Sequence, residues 1–569
     1  MLRRWRALLN ANNPNEPIRP SAPSKTDRVF PTLTAAQIKR VARRGRHRTI
    51  THSEVLVEVG QREVPFFVLI DGQIDALQPA AETETLIVRL SPGQFTGEGT
   101  MLTGRRALTR LRVSEAGEVV ELDREGLLAL VQTDAELSEI LMRAFILRRS
   151  ELIAGGLGDV VVIGSTHCAG TLRVKEFLTR NGHPYRYIDL DSDTDAQALL
   201  DRFSIGAADV PVLICRGDAV LRNPSNRQIA ECLGFNDSIE QTHVRDLVVV
   251  GAGPAGLAAA VYGASEGLDV LVLESNVPGG QAGSSSRIEN YLGFPAGISG
   301  LELTGRAYAQ AEKFGARVLI AKGATRLVCE RQPYVVQIDD GARLFGRAVI
   351  IATGAEYRKP SIERVSQFEG AGVYYGATPM EAQVCAGEEV IVVGGGNSAG
   401  QAAVFLARTT RRVHMLVRGK GLADTMSRYL IRRVEEDPAI VLRTHTELVA
   451  LEGDPHVERV QWKDNRTGSV ERNNIRHVFM MTGAVPNTGW LEGCIALDEK
   501  GFIKTGADLS RDNLTAAGWP LARPPYLLET SRPGVFAVGD VRGGNIKRVA
   551  SAVGEGSIAI AFVHQILHE

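Results

Sequence analysis

The pattern of hydrophobic and polar positions changes three times in the N-terminal third of the chain. Residues 1–27 are rich in Arg, Pro, Asn and Ser without an apolar period, which predicts a flexible tail. Short extended apolar runs over about 30–123 predict an antiparallel sandwich or roll, with Asp71-Gly72 as a hairpin turn. The amphipathic segment 124–149 predicts one helix that leaves this roll, and the predicted unit spans 28–150.

The remaining two thirds of the chain have the pattern of α/β structure. Strand Val160 to Ile163, a helix from about Leu172, and the apolar run VPVLIC predict a small α/β domain over 151–240. From Asp246 onward, apolar strands followed by glycines alternate with helices. These strands are continuously apolar and do not alternate with polar positions, as is typical of a parallel sheet buried on both faces.

Composition narrows the classes of function that need to be considered. With 569 residues, the chain is long enough for several domains. The net charge of −1 gives no bulk attraction to nucleic acid polymers or acidic membranes. No apolar run approaches the roughly 18 residues that span a membrane. Six scattered cysteines without C-x-x-C spacing predict no metal site, reduced thiols and a cytoplasmic location.

The sharpest chemical signal is a glycine-rich turn between two strands at 246–275. The first glycine allows a tight turn, the second lets the backbone approach a pyrophosphate, and the third lets helix and strand pack closely. The following helix presents its positive end to the pyrophosphate, and an acid ends the second strand, where it accepts hydrogen bonds from a ribose. The residues of this predicted site are Gly251, Gly253, Pro254, Ala255, Gly256 and Glu274.

A second turn of the same kind follows the apolar strand EEVIVV. It contains Gly394, Gly396, Asn397, Ser398 and Ala399, with alanine in place of the third glycine. Its second strand ends in Arg418, with Lys420 just beyond, and no carboxylate stands there. Cations attract a 2′-phosphate that an acid would repel, so the first turn suits FAD and the second suits NADPH. Two such sites in one chain imply hydride transfer between a nicotinamide and a flavin.

From about Asp246 to Glu569, the chain resembles the low-molecular-weight thioredoxin reductase family. The motifs GAGPAG, GGQ, IENYLGFP, ATGA, GGGNSA, TGAVPNT, VGDVR and KRVASAVGEG occur in family order. The resemblance implies an FAD domain over 241–357 and 486–569, an NADPH domain inserted at 358–485, and a homodimer. Further residues expected to contact FAD are Gly280, Gln281, Asn290, Gly354, Gly539, Asp540, Arg548, Val549 and Ala550.

The chain departs from this family at the redox-active motif. The family's C-A-T-C is replaced by Gly376-Ala377-Thr378-Pro379, so both cysteines are absent. The flavin can still accept hydride from NADPH, but electrons cannot leave through an internal disulfide at this position. Cys385 lies a few residues away and is interpreted as a buried structural thiol, because free cysteine is among the most buried residue types.

The small α/β domain resembles glutaredoxin- and thioredoxin-like domains. Cys168 stands in place of their nucleophilic cysteine and Thr171 in place of the resolving one, and Val210-Pro211 is expected to be a cis peptide bond. A helix N-terminus favours a thiolate, and His167 adds to this effect. Two interpretations are open: Cys168 is a catalytic monothiol, or the domain is an adaptor in which Cys168 is inert.

The N-terminal roll resembles cyclic-nucleotide-binding domains. In that family a Gly-Glu pair binds the ribose, which Gly97-Glu98 match, and an arginine binds the cyclic phosphate, for which Arg105 or Arg106 is the candidate. The order of units therefore resembles fused bacterial thioredoxin reductases. The predicted fold class is multi-domain: a β-roll, a small thioredoxin-like α/β domain, and two Rossmann-like domains for FAD and NAD(P).

Three functional hypotheses follow from these residues. The first is an NADPH-dependent FAD oxidoreductase that passes electrons to a thioredoxin-like or other disulfide acceptor, with Cys168 as the candidate catalytic residue. The second keeps the flavoenzyme but replaces the disulfide by a one-electron carrier such as ferredoxin or flavodoxin. The third is a redox sensor with little turnover, regulated by a cyclic nucleotide.

Overall fold

A computed structural model describes most of the chain after the predicted tail. The described residues are 28–79, 84–97, 100–155, 158, 160–192, 206, 209–215 and 219–569. The predicted tail 1–27 and Glu98 lie outside them.

The N-terminal unit, called the roll, is an antiparallel sheet in the order β1-β5-β3-β4, with β2 paired to β5. Phe66, Phe95 and Phe145 pack together in its core at centroid separations of 5.8 to 6.3 Å. The elements are α1 (Ala35–Ala42), β1 (Arg46–Ile50), β2 (Val55–Val57), β3 (Phe66–Pro79), β4 (Glu84–Leu90), α2 (Thr100–Thr103), β5 (Arg110–Leu122), α3 (Arg124–Thr133) and α4 (Ala135–Ala154).

Two local predictions for the roll are wrong. Asp71-Gly72 is not a hairpin turn, because β3 runs through it and pairs with β5 across register shifts at these residues. Gly72 has a φ of +88°, and a Cβ there would lie 2.5 Å from the Glu115 carbonyl oxygen. This position in the β-bulge therefore requires glycine. The predicted single helix is two helices, because the Asp134 side chain accepts the backbone N–H of Leu137 and starts α4.

The second unit, called the small α/β unit, has a four-stranded sheet in the order β7-β6-β8-β9. The predicted cis peptide bond between Val210 and Pro211 is confirmed. A helix predicted between β7 and β8 falls in 193–205, outside the described residues. The elements are β6 (Val160–Gly164), α5 (Ala169–Arg180), β7 (Arg186–Asp189), β8 (Val212–Cys215), β9 (Ala219–Arg222) and α6 (Asn226–Leu233).

The third unit, called the first dinucleotide domain, has a seven-stranded sheet in the order β12-β11-β10-β15-β14-β13, with β26 beside β15. Strands β10, β11, β12, β15 and β26 are parallel, as the continuous apolar runs predict. Its elements are β10 (Val244–Val250), α7 (Pro254–Ser265), β11 (Val270–Glu274), α8 (Gly280–Gly283), α9 (Gly300–Lys313), β12 (Arg317–Ile320), β13 (Ala324–Val328), β14 (Tyr334–Ile338), β15 (Arg343–Ile351), α13 (Arg511–Ala517), β26 (Val535–Ala537) and α14 (Val549–His568).

The second dinucleotide domain is inserted into the first and joined to it by the two-stranded ribbon β16 (Ala355–Tyr357) and β25 (Ala484–Pro486). Its parallel sheet has the order β17-β24-β18-β19-β20, and β21, β22 and β23 form a separate antiparallel sheet. The elements are β17 (Val373–Tyr374), α10 (Pro379–Val384), β18 (Glu389–Val393), α11 (Asn397–Leu406), β19 (Arg412–Val417), α12 (Arg428–Glu436), β20 (Ile440–Thr444), β21 (Thr446–Glu452), β22 (Arg459–Asp464), β23 (Val470–Asn473) and β24 (His477–Met480).

The C-terminal helix α14 is long and apolar enough to cross a membrane by length and composition. The expectation that no segment approaches this length is therefore wrong. Its Ala559, Ile560 and Val563 are buried in the core of the first dinucleotide domain. The helix also packs against α7 so closely that a Cβ on Gly556 would lie 2.2 Å from the Ala255 carbonyl oxygen. We therefore assign α14 to the core of this domain.

One pair of cysteines contradicts the expectation that all thiols are reduced. Cys329 directly follows β13, and it forms a disulfide with Cys494, from which it is separated by 165 residues. Both residues are buried in the same apolar cluster. Their pairing depends on the tertiary fold, because nothing in their sequence spacing brings them together.

Arg105 joins three of the units and is buried at their junction. Its guanidinium donates to the carbonyl oxygen of Asn181 in the small α/β unit at 3.1 Å. It also donates to the Tyr308 hydroxyl on α9 at 2.9 Å. The guanidinium lies 4.4 Å from the ring centroid of Phe235. This residue, a candidate for binding a cyclic phosphate, therefore has a different set of partners in the structure.

The junction contains a carboxyl group whose ionisation we expect to affect stability. Burial raises the pKa of Glu312 from 4.5 to about 7, against the opposing effect of Arg105, Arg124 and Arg149. The folded protein then holds this proton more tightly than the unfolded chain, so stability falls as the pH rises through this interval. The free energy of unfolding decreases by at most about 3 kcal/mol over this interval.

We predict that Glu312→Gln removes this part of the pH dependence. The apparent unfolding temperature of the wild type should fall between about pH 5 and pH 8 relative to that of the variant. Glu302→Gln, which changes an exposed carboxyl on the same helix α9, should keep the wild-type slope. Parallel pH profiles for wild type and Glu312→Gln would contradict the prediction.

Candidate active site

A cavity of about 1430 Å³ lies between the two dinucleotide domains and is also lined by α5 of the small α/β unit. Typical ligand pockets have about 300–1,000 Å³. The volume therefore leaves room for more than one ligand.

The first glycine turn forms one wall of this cavity, at the carboxyl end of β10. Gly251 has a φ of +108°, which favours glycine, and Gly253 caps α7. A Cβ on Gly256 would lie 1.8 Å from the Gly251 carbonyl oxygen, so the helix can start this close to the strand only with glycine there. The N-terminus of α7 therefore points free N–H groups into the cavity.

Glu274 ends β11 beside this turn and is buried. Its two carboxyl oxygens accept the backbone N–H of Ala252 at 2.9 Å and of Asn276 at 2.8 Å. Burial raises the pKa of the Glu274 carboxyl despite these hydrogen bonds. Each oxygen has a second lone pair, so the group can also accept a hydrogen bond from a ribose hydroxyl.

Two further segments complete this wall. The backbone of Gly280, at a φ of +50°, approaches Gly253 so that a Cβ would lie 3.2 Å from the Gly253 Cα. Gly539 donates its N–H to Glu555 at 2.7 Å, which holds the turn that carries Asp540. Burial raises the pKa of the Asp540 carboxyl, which lines the cavity.

The second glycine turn lies at the carboxyl end of β18 in the other domain. Gly394 has a φ of +139°, and a Cβ there would lie 2.4 Å from the Met481 carbonyl oxygen. Asn397 accepts the backbone N–H of Ser427 at 2.8 Å, which ties the start of α11 to the loop after β19. Arg418 and Lys420 are exposed beyond the end of β19. Both turns thus have the shape and donors that fit a dinucleotide.

The structure places most of the predicted site residues on the cavity wall. Those that line it are Gly251, Gly253, Pro254, Ala255, Glu274, Gly280, Gln281, Asn290, Gly354, Gly396, Asn397, Ser398, Ala399, Gly539, Asp540, Arg548 and Val549. Those outside the lining are Cys168, Gly256, Gly394, Arg418, Lys420 and Ala550. Gly256 and Gly394 lie behind the cavity surface, where their missing side chains let each turn pack against the neighbouring backbone. Ala550 is exposed on α14.

The segment that replaces the redox-active cysteines starts a short helix at the cavity. Thr378 caps α10, and its backbone N–H donates to Glu381 at 2.9 Å in a capping box. Cys385 at the end of this helix is fully buried, and burial raises the pKa of its thiol to about 12. Cys385 is therefore unsuited to replace a redox-active thiol.

Cys168 stands at the N-terminus of α5, as the sequence predicts, and is partly exposed. The next residue, Ala169, touches the second dinucleotide domain, because a Cβ on Gly370 would lie 2.5 Å from the Ala169 Cβ. Leu172, one turn further on, packs into the apolar cluster that contains Ala377. Cys168 is thus carried by a helix that contacts the segment in which the family's cysteines are missing.

Sequence reasoning missed several charged cavity residues, and three of them lie on α5. Arg173, Glu176 and Arg180 line the cavity although they belong to a separate unit. Their spacing marks one face of a helix, but no local signal indicates that this face meets a nucleotide site.

The comparison with protein families matches three models along the chain. A pyridine nucleotide-disulphide oxidoreductase model matches residues 245–556. A cyclic nucleotide-binding domain model matches residues 47–134, and a glutaredoxin model matches residues 160–220.

Curated relatives and solved structures agree with the largest of these matches. Thioredoxin reductase of Treponema pallidum (strain Nichols) is 34% identical over 317 residues, which cover 55% of this chain and 94% of that protein. Thioredoxin reductase of Bacillus subtilis (strain 168) is 31% identical, covering 58% of this chain and 97% of that protein. The crystal structure of Lactococcus lactis thioredoxin reductase in its FR conformation has a TM-score of 0.51 at 28% identity, covering 57% of this chain and 99% of that one. The T. acidophilum thioredoxin reductase structure has the same TM-score at 27% identity, with the same shares of the two chains. The predicted fold class is confirmed.

We predict that Arg418 and Lys420 select the phosphorylated nicotinamide. Replacing either by alanine should lower kcat/KM for NADPH roughly tenfold, the effect of one lost hydrogen bond to a charged group. The value for NADH, which lacks the 2′-phosphate, should change less than about twofold.

The control for this prediction is Arg411→Ala, an exposed arginine just before β19, at the opposite end of that strand. It should leave both values unchanged. An equal loss with NADPH and NADH in the Arg418 and Lys420 variants would show that these residues do not recognise the phosphate.

Proposed function

This chain belongs to the pyridine nucleotide-disulphide oxidoreductase family over residues 245–556, and we propose that it transfers two electrons from NADPH, by way of FAD, to a disulfide. Its curated relatives are thioredoxin reductases, and the chain is an FAD-dependent oxidoreductase of that type. The overall reaction converts NADPH, a proton and one disulfide into NADP⁺ and two thiols. When bound, FAD would supply the redox group between NADPH and the disulfide.

The opening of both glycine turns on one cavity is the observation that carries this proposal. Gly253 at the start of α7 and Gly396 at the start of α11 both line it. Two dinucleotides held by these helix N-termini would therefore share one cavity. The chain's own contribution is to hold the two ligands with backbone N–H groups and to exclude water between them.

The missing cysteine pair requires another exit for the electrons, and we propose Cys168. The two dinucleotide domains contain Cys329, Cys385 and Cys494, and all three are buried. Cys168 is partly exposed, and its helix α5 contacts the domain that carries the replaced segment. A thiol at this place is near the cavity and accessible to a partner.

A single thiol can turn over a disulfide in two balanced steps. The Cys168 thiolate attacks the substrate disulfide, forms a mixed disulfide and releases one thiol of the substrate. Two electrons that come from NADPH, together with two protons, then cleave the mixed disulfide, which regenerates the Cys168 thiol and releases the second substrate thiol.

The buried cysteines also favour a second candidate function. The three cysteines of the two dinucleotide domains are buried. If Cys168 is also inert, these domains offer no exposed thiol to receive the electrons, and a reduced flavin could pass them to a one-electron carrier of the ferredoxin or flavodoxin class. This alternative and the disulfide reaction predict different acceptors for the same reduced protein.

The remaining parts of the proposal concern location, assembly and the roll. We propose a cytoplasmic protein from the composition and a homodimer from the family resemblance. The match of the roll to cyclic nucleotide-binding domains supports a nucleotide ligand. Against it, Arg105 is engaged at the junction and Arg106 donates to the Gly60 carbonyl oxygen at 3.4 Å.

We predict that the purified full chain binds FAD and that NADPH bleaches the flavin absorbance without any acceptor. The reason is that hydride transfer requires only the two adjacent dinucleotide sites. The measurement is an anaerobic visible spectrum before and after NADPH. A protein that stays colourless after incubation with FAD would refute the proposed function.

We predict that Cys168→Ser abolishes disulfide turnover but leaves bleaching by NADPH unchanged, because only the second half of the reaction uses the thiol. The assay is NADPH oxidation with thioredoxin or a small disulfide as acceptor, and Cys385→Ala should behave like the wild type. Unchanged turnover in Cys168→Ser would remove this residue from the scheme. Activity with ferredoxin or flavodoxin, and none with disulfides, would instead favour the second candidate.

A further inference from the structure

Arg180, the last residue of α5, projects from the small α/β unit into the wall of the cavity beside the first glycine turn. Its guanidinium Nη2 donates to the carbonyl oxygen of Gly280 at 2.6 Å and to that of Pro278 at 3.3 Å. Gly280 is the residue whose backbone approaches Gly253 at the start of α7. Arg180 therefore lies at the turn that is shaped for a diphosphate.

The charge of Arg180 is incompletely compensated in the protein. Its side chain is 10% exposed, and among the described residues it forms one ion pair, with Glu176 one turn earlier on α5, at 3.1 Å. The Nε atom is buried and has no hydrogen-bond partner. Glu274 is a further nearby acid, and burial raises the pKa of its carboxyl despite the neighbouring charge of Arg180. An arginine stays charged when buried, so such a site favours an additional anion.

We infer that Arg180 binds the diphosphate of the dinucleotide in the first site, so that the small α/β unit completes the cofactor site of the neighbouring domain. The inference rests on the proposed function, because it presupposes that FAD binds there. It assigns to α5 a part in cofactor binding in addition to carrying Cys168. The Nη1 group of Arg180 donates to Glu176, and this bond can be exchanged for one to a phosphate oxygen without loss of the two bonds from Nη2 to the backbone.

A purely structural role for Arg180 predicts a different response to mutation. If Arg180 only connects the two units, it needs Glu176 to hold its side chain in place. Loss of either residue would then weaken FAD binding to a similar extent. If Arg180 is a phosphate ligand, the Glu176 carboxylate and the phosphate compete for the same guanidinium. Removing the Glu176 charge then also removes a repulsion, because this carboxylate lines the cavity too.

The experiment measures the affinity of the full-length apoprotein for FAD by the change in flavin fluorescence. Arg180→Met should weaken FAD binding at least tenfold, and Arg180→Lys should recover part of that loss because it keeps the charge. Glu176→Gln should bind FAD as tightly as the wild type or more tightly. Raising the ionic strength should weaken FAD binding to the wild type more than to Arg180→Met.

Lys175→Met is the matched control, since it removes a positive charge from the same helix at a position outside the cavity lining. The Lys175 ammonium lies 4.1 Å from the ring centroid of Tyr187 in its own unit. Its FAD affinity should stay within about twofold of the wild type, because no bond to the first dinucleotide domain is lost.

The outcomes separate this inference from the proposed function. If the wild type fails to bind FAD, the proposed function is wrong. If the wild type binds FAD and folded Arg180→Met binds it equally well, or Glu176→Gln weakens binding as much as Arg180→Met does, Arg180 is not a phosphate ligand. Circular dichroism of the apoproteins establishes that each variant is folded.

Discussion

The close approach of a helix N-terminus to the end of a parallel strand is the constraint on which the rest of the structure depends. At Gly256 a side chain would meet the Gly251 carbonyl oxygen, and at Gly394 it would meet that of Met481. Because both turns are free of Cβ atoms, α7 and α11 begin at the sheet edge and direct their N–H groups into one cavity. The positions of Glu274, Gly280 and Asp540 on the cavity wall matter only because this approach is possible.

Features set by local sequence could be predicted, whereas contacts between units could not. Glycine spacing located both turns, and apolar runs located the parallel strands around them, because these signals lie within one strand–turn–helix segment. Arg105, Leu172 and Arg180 owe their environments to the docking of separate units, which no periodicity encodes. The Cys329–Cys494 disulfide could not be predicted for the same reason, because the tertiary fold brings together two cysteines that are 165 residues apart.

The local errors have a common cause in tertiary pairing. The Asp71-Gly72 pair has the composition of a turn, but β3 continues through it because β5 is long enough to pair on both sides. Asp134 is polar within an amphipathic stretch that predicts one helix, although its side chain caps the start of a second helix. In both cases a residue that suits two conformations takes the one that its partners stabilise.

The placement of α5 has a mechanical consequence for the two dinucleotide domains. The covalent link between them is the two-stranded ribbon β16–β25, and two strands alone resist bending weakly. Helix α5 contacts both domains, through Arg180 on one side and the buried Leu172 on the other. A rotation about the ribbon that separated α5 from the second dinucleotide domain would expose Leu172 to water, at a free-energy cost of about 2 kcal/mol. The small α/β unit thus opposes such a rotation more strongly than the ribbon alone would.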